Sequence, residues 1–260
     1  MNDLHTFAIG DIHGRADLLA SLLTAITKQC FANGWAFRVV FLGDIIDRGP
    51  MSLNALRLVD EHLMAFPESI LIRGNHDWFP IRILDEIDDE RQELLMRHWI
   101  DNLGGDATVR SMGYLGDELS VSELRQHFPA RYLDMIRRAS PYVEMEDYIL
   151  VHAGIRPGTP LQHQTSHDLM WIREPFLSTG GLLGKRIVHG HTVTASRKPE
   201  IFEDRVAIDA GAYDTNSLMA VHIFSDGKLE FLSSSLDGIL EVEPYVISTL
   251  EPADAIRRLV

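Results

Sequence analysis

Five glycine-containing turns each place a metal-ligand side chain directly after an apolar run. In Gly10-Asp11-Ile12-His13-Gly14 a carboxylate and an imidazole are flanked by glycines that let the backbone approach an ion closely. Asp44 follows Phe37 to Leu42 and Gly43; Asn75 lies in Gly74-Asn75-His76-Asp77; His152 begins His152-Ala153-Gly154. The fifth turn, His189-Gly190-His191-Thr192, holds two histidines, and strand alternation sends both in similar directions, so spacing leaves the choice between His189 and His191 open. Taken with His191, these are six oxygen and nitrogen ligands, enough for two ions if one carboxylate bridges. Asp44, on its own strand between the others, is the natural bridge. Mixed carboxylate and imidazole ligation suits manganese, iron or zinc better than calcium.

Other reactive groups stand beside these ligands. The stretch Gly43 to Pro50 reads GDIIDRGP, so Asp47 and Arg48 follow Asp44 as an anion-handling turn. His76, next to Asn75, is a side chain whose charge changes near neutral pH. Arg173, in Trp171-Ile172-Arg173-Glu174, is equally a phosphate contact or half of a solvent salt bridge. Met96, Trp99 and Tyr213 read as packing residues, and Cys30 as a buried, inert thiol.

The elements that must position these groups follow from apolar periodicity. Thr6 to Ile9 is a strand; Arg15 to Asn33 is a helix with Leu18, Leu19, Leu22, Leu23 and Ile26 on one face, stopped by Gly34. After the strand at 37–42, a helix runs from Ser52, a plausible N-cap, to Met64, and Ile70 to Ile72 is a third strand. Residues 78–146 switch to helical segments, too long for a connection, and predict a helical cap insertion with an acidic solvated face. Strands resume at Tyr148 to Val151, Ile187-Val188 and Val206 to Ile208. A closing hairpin pairs Ser217 to Phe224 with Lys228 to Leu232 through Asp226-Gly227, and the tail after Asp237 is expected to pack outside. Strands alternating with helices predict an α/β fold, taken as one domain over residues 1–260.

Composition narrows the classes. The net charge of -14 argues against a nucleic-acid scaffold, whose backbone contacts need a basic surface, yet a local cluster of cations can still hold an anionic substrate. One cysteine excludes an internal disulfide framework. The chain has no run of about 20 apolar residues that would span a membrane, and Met1 to His5 lacks the start of a secretory signal. A cytoplasmic protein with no membrane partner is the expectation.

The ordered set GDIHG at 10–14, GDIIDRGP at 43–50, GNHD at 74–77, HAG at 152–154 and HGHT at 189–192 resembles the calcineurin-like metallophosphoesterases, specifically their phosphoprotein phosphatase branch. The resemblance implies a four-layer α/β/β/α sandwich with the site at one edge of the paired sheets. It implies that Asp11, His13 and Asp44 bind one divalent transition metal ion and that Asp44, Asn75, His152 and His191 bind a second, with His189 supporting. It makes His76 the general acid, oriented by Asp47, and Arg48 and Arg173 the clamps on phosphate oxygens. The implied activity is hydrolysis of phosphomonoesters in phosphorylated proteins or small molecules, by in-line attack of a metal-activated hydroxide. Asp77 stands where the eukaryotic enzymes have glutamate, and their longer C-terminal part is lacking, so the likeness is nearest to small bacterial phosphatases such as the Rhizobiales-like ones. The alternative is a symmetric dinucleoside tetraphosphate hydrolase, a relative that typically carries alanine at the position of Asp47. A non-catalytic module would have lost a ligand or the acid, and here all are present.

Overall fold

In the computed structural model, which describes residues 4–179 and 184–246, successive side chains of each central strand enter different cores. The first sheet joins β1 (Leu4–Ile9), β2 (Ala36–Phe41) and β3 (Ile70–Leu71) in parallel; β9 (Ser217–Ile223), β10 (Leu229–Ser235) and β11 (Gly238–Glu241) extend it antiparallel beyond β1. The second has the order β12 (Tyr245–Val246), β7 (Glu200–Ile201), β8 (Arg205–Ala207), β6 (Arg186–His189), β5 (Tyr148–Val151) and β4 (Tyr142–Glu144). Its central strands β5, β6 and β8 are parallel.

Ala8, Val40 and Leu42 of the first sheet meet Leu150, Val188 and Val206 of the second in the core between the sheets. Their neighbours Phe7, Ile9, Val39 and Phe41 face outward onto α1 (Ala16–Asn33) and α2 (Ser52–Ala65). On the far side, Ile149, Val151 and Ile187 pack on Leu169 of α8 (Ser166–Trp171) and Phe176 of α9 (Phe176–Thr179). The period of two along each strand thus makes two sheets flanked by helices, the four-layer α/β/β/α order. Each fully buried aliphatic or phenyl side chain in these layers contributes about 1.5–3 kcal/mol.

The insertion forms α3 (Asn75–Asp85), α4 (Asp89–Leu103), α5 (Gly105–Ser111), α6 (Val121–His127) and α7 (Ala130–Arg137). Ile81, Ile83, Met96, Trp99, Leu124 and Phe128 join the same core as α1 and α2, so these helices extend the first outer layer.

Four local expectations are corrected. Ser52 is the first residue of α2 and Met51 occupies the N-cap; the Ser52 hydroxyl faces the Asp47 N–H instead, at 3.3 Å. The insertion does not run to 146, because Tyr142–Glu144 pairs with β5 as an edge strand. The tail after Asp237 does not simply lie outside: β11 closes one edge of the first sheet and β12 pairs with β7 at an edge of the second, while residues 247–260 lie outside the described ones. Trp99 does more than pack, as shown below. The Gly34 stop is as expected: it adopts φ 65° and its N–H caps Cys30 and Phe31. Cys30 is buried, which pushes its thiol up to about 11. No helix among the described residues is long and apolar enough to cross a membrane.

Candidate active site

The C-terminal ends of the parallel strands of both sheets open at one edge, and the ligand-type residues meet there. Asp44, after β2, is the hub. Its Oδ2 lies 3.7 Å from His13 Nε2 and 3.9 Å from His76 Nε2, while its Oδ1 lies 3.4 Å from His152 Nε2 and accepts the His76 backbone N–H at 2.9 Å. Two groups with ligand atoms mutually within 4.8 Å result: His13, Asp44 and His76, and Asp44, His152 and His191. Asn75, first residue of α3, puts Oδ1 2.8 Å from His152 Nε2. Asp11, after β1, accepts the His191 backbone N–H at 3.0 Å.

Hydrogen bonds behind the rings set their direction. His13 Nδ1 is 2.8 Å from the Ile46 carbonyl and His152 Nδ1 is 2.8 Å from the Leu42 carbonyl, so each ring donates backward and turns an Nε2 lone pair into the site. His191, and not His189, joins the cluster. His189 ends β6 with its ring edge-on to Phe176 at 5.1 Å, whereas His191 has left the strand at φ 62°.

The chain reaches this arrangement through left-handed backbone. Five of the seven non-glycine residues with positive φ among the described residues are His13, Asp44, Asp47, Arg48 and His191. Such positions cost on the order of 1–3 kcal/mol each and persist only where surroundings over-determine them. Here Asp77 Oδ1 accepts the N–H groups of Ile45 (2.8 Å) and Ile46 (3.3 Å), and the Arg48 N–H reaches the Gly104 carbonyl at 3.1 Å. Gly190 is required by crowding, since a Cβ there would stand 2.1 Å from Asp11 Oδ1.

Burial lowers His13, His152 and His191 below the ordinary imidazole value, which favours the neutral ring with a lone pair to offer. Burial works to raise Asp44, but the imidazoles of His152, His76, His13 and His191 around it outweigh that and hold its carboxyl below the ordinary range. Asp11 is raised by burial and then by the facing carboxylates of Asp209 and Asp44. Asp209, the residue after Ile208 beyond β8, is raised to about 6, chiefly by burial. The sequence carries a signal for Asp209, an apolar run ending in a carboxylate near glycine, as at the five ligand-bearing turns. Asp77 is pushed up to about 8 by burial and then by Asp44.

Beside the hub, His76 Nδ1 meets Asp47 Oδ2 at 2.8 Å, with both side chains buried. Burial opposes protonation of His76, yet the carboxylates of Asp44 and Asp47 raise it above its ordinary value. Arg48 Nη1 and Nη2 lie 3.0 Å from His13 Nε2 and 3.2 Å from His76 Nε2, and its guanidinium covers the Tyr213 ring at 4.7 Å. Tyr213 is therefore not the packed aromatic expected: it is 38% exposed at the mouth of the site. Arg173 is exposed on the loop after α8, where its charge helps to lower His191. Trp99 Nε1 donates to both Asp47 oxygens, at 3.1 and 2.9 Å.

These groups fit a divalent metal. His191 Nε2 is buried without a hydrogen-bond partner, and Oδ1 of Asn75 and Oδ1 of Asp44 converge on Nε2 of His152 at 2.8 and 3.4 Å. Buried carboxylates facing imidazoles are the donor set of a transition-metal cation.

Comparison with known proteins gives a consistent result. The family model "Calcineurin-like phosphoesterase" matches residues 4–199. The chain is 27% identical over 213 residues to "Serine/threonine-protein phosphatase 1" of Salmonella typhimurium, covering 80% of this chain and 87% of that one. It is 30% identical over 159 residues to "Bis(5'-nucleosyl)-tetraphosphatase, symmetrical" of Dechloromonas aromatica, covering 58% of this chain and 44% of that one. A solved protein serine/threonine phosphatase from Saccharomyces cerevisiae shares the fold, with a TM-score of 0.54 and 15% identity over 96% of this chain and 82% of that one.

Proposed function

The chain belongs to the calcineurin-like phosphoesterase family, and on that footing we propose that it is a dinuclear-metal phosphomonoester hydrolase acting on phosphoserine, phosphothreonine or phosphotyrosine of proteins. Asp11, His13 and Asp44 would hold one divalent ion, and Asp44, Asn75, His152 and His191 the other, with manganese favoured over iron and zinc. Two such cations, when bound, supply a water of lowered pKa and neutralise phosphoryl oxygens.

The remaining tasks fall to the chain's own groups. Arg48 and Arg173 hold phosphoryl oxygens as charge builds on them. His76 gives its proton to the leaving oxygen, and Asp47 orients the ring and favours its protonated form.

The observation that carries this reading is the buried Asp47–His76 contact of 2.8 Å. A serine alkoxide is a poor leaving group and needs a delivered proton, whereas a polyphosphate is a weak base and needs little. Likeness to the Salmonella phosphatase along most of both chains supports the same substrate class. The identity with a symmetrical tetraphosphatase favours a second reading, a dinucleoside tetraphosphate hydrolase.

Initial rates on phosphopeptides, phenyl phosphate and a dinucleoside tetraphosphate, with each metal added to stripped protein, separate the two. Phosphopeptides are expected to turn over fastest. Much faster cleavage of the tetraphosphate would overturn the phosphatase reading and leave the metal chemistry standing.

A further inference from the structure

The turn that carries Asp47 and Arg48 is held from below by the helical insertion, through residues with no ligand role. Asp47 is fully buried, and its carboxylate has partners on every side. Oδ1 accepts the Thr108 hydroxyl at 2.7 Å and the Trp99 indole N–H at 3.1 Å; Oδ2 shares that indole N–H at 2.9 Å and meets His76 Nδ1 at 2.8 Å. Thr108 Oγ1 also accepts the Asp47 backbone N–H at 2.9 Å. One residue on, the Arg48 N–H reaches the carbonyl of Gly104, the αL residue that ends α4. Trp99 is itself fully buried and fixed: a Cβ at Gly105 would stand 2.5 Å from its ring.

We propose that Trp99, assisted by Thr108, is a positioning residue for proton delivery, acting through the Asp47 carboxylate on the ring of His76. A carboxylate held only by His76 could rotate about its terminal torsion, which is broad for aspartate. An indole N–H shared by both oxygens, with a hydroxyl on Oδ1, leaves one carboxylate plane, and that plane fixes where His76 Nδ1 must lie. The ring's opposite nitrogen then faces the site, 3.2 Å from Arg48 Nη2 and 3.9 Å from Asp44 Oδ2, where the proposed substrate would sit. The inference rests on the proton-donor role given to His76 above, and it assigns the insertion a share in the chemistry.

Trp99→Phe keeps the buried ring and removes the N–H. On metal-loaded protein, kcat for an alkyl phosphate is expected to fall about 10-fold, as for loss of an outer partner of a reacting group, while kcat for nitrophenyl phosphate stays within about twofold. KM for both esters and the bound metal should be unchanged. In a His76→Asn background, Trp99→Phe should add nothing, because both act through one group. Independently of turnover, one of the four indole N–H resonances should lie downfield and move upfield in Asp47→Asn. Equal losses on the two esters, an additive loss in the His76→Asn background, or no loss at all would overturn the proposal. If Trp99→Phe does not fold, Thr108→Val carries the same comparison, with Thr108→Ser expected to restore the rate. His76→Asn protein that loses both esters equally would remove the proton-donor role and this inference with it. Failure at Trp99 alone is distinct: His76→Asn then discriminates between the esters and Trp99→Phe does not.

Discussion

At Asp44 the two carboxylate oxygens face different partners, Oδ2 toward His13 and His76 and Oδ1 toward His152. That division is what the proposed bridging role would need, and on that proposal Asp44→Asn should weaken both ion sites at once. Metal analysis of the purified variant is expected to give well under two ions per chain; two retained ions and full turnover would remove the bridge. Asp47 supports a different kind of test. Its contact with His76 matters when the leaving group is a strong base, so Asp47→Ala should depress phosphomonoester turnover on the order of 100-fold and change tetraphosphate cleavage little. Parallel rate measurements on the two substrates check this, and equal losses would mean that Asp47 serves structure alone.

At the scale of elements, α2 and β9 each bury a histidine away from the site. His62, in the last turn of α2, lies against Phe66 at 4.6 Å, and His222 of β9 stacks on Phe7 at 4.1 Å. Burial lowers both to about 4. A base whose folded value lies below its unfolded one, about 6.5, takes up more protons in the unfolded state between those values. The stabilisation is therefore complete above about pH 6.5 and is lost as pH falls toward 4. Because the raised Asp77 and Asp209 act in the opposite sense, the comparison is with a variant: from pH 7 to pH 5 the urea midpoint of the wild type should fall relative to that of His62→Gln. A wild-type midpoint that rises relative to the variant's on acidification would contradict the sign.

For the whole molecule, a net charge of -14 surrounds a cleft whose proposed contents are two cations and an anionic ester. Stripped protein is expected to be inactive, and manganese to restore turnover more than magnesium, because magnesium prefers oxygen octahedra and the proposed ligands include three imidazoles. Manganese should also raise Tm with concentration, since the ligands are gathered only in the folded chain. Full activity after exhaustive chelation, with no metal detected, would end the metal-dependent reading.

The linear chain already displayed the strand-turn-helix order and the residues at each strand end, because alternation and turn chemistry are local properties. Phe7 and Ile9 face one core and Ala8 the other, as a period of two requires. Selection among neighbours needed the path of the backbone: His189 and His191 are equivalent under alternation until a positive φ turns the chain off the strand at His191. The same holds for Asp209, brought against Asp11 only by the packing of β8's sheet edge beside β1's. Trp99 is the clearest case. An indole is both a large apolar surface and a hydrogen-bond donor, so its spacing in α4 announces burial and says nothing of the N–H. Its partner Asp47 lies 52 residues earlier, and only the folded insertion brings the two within 2.9 Å.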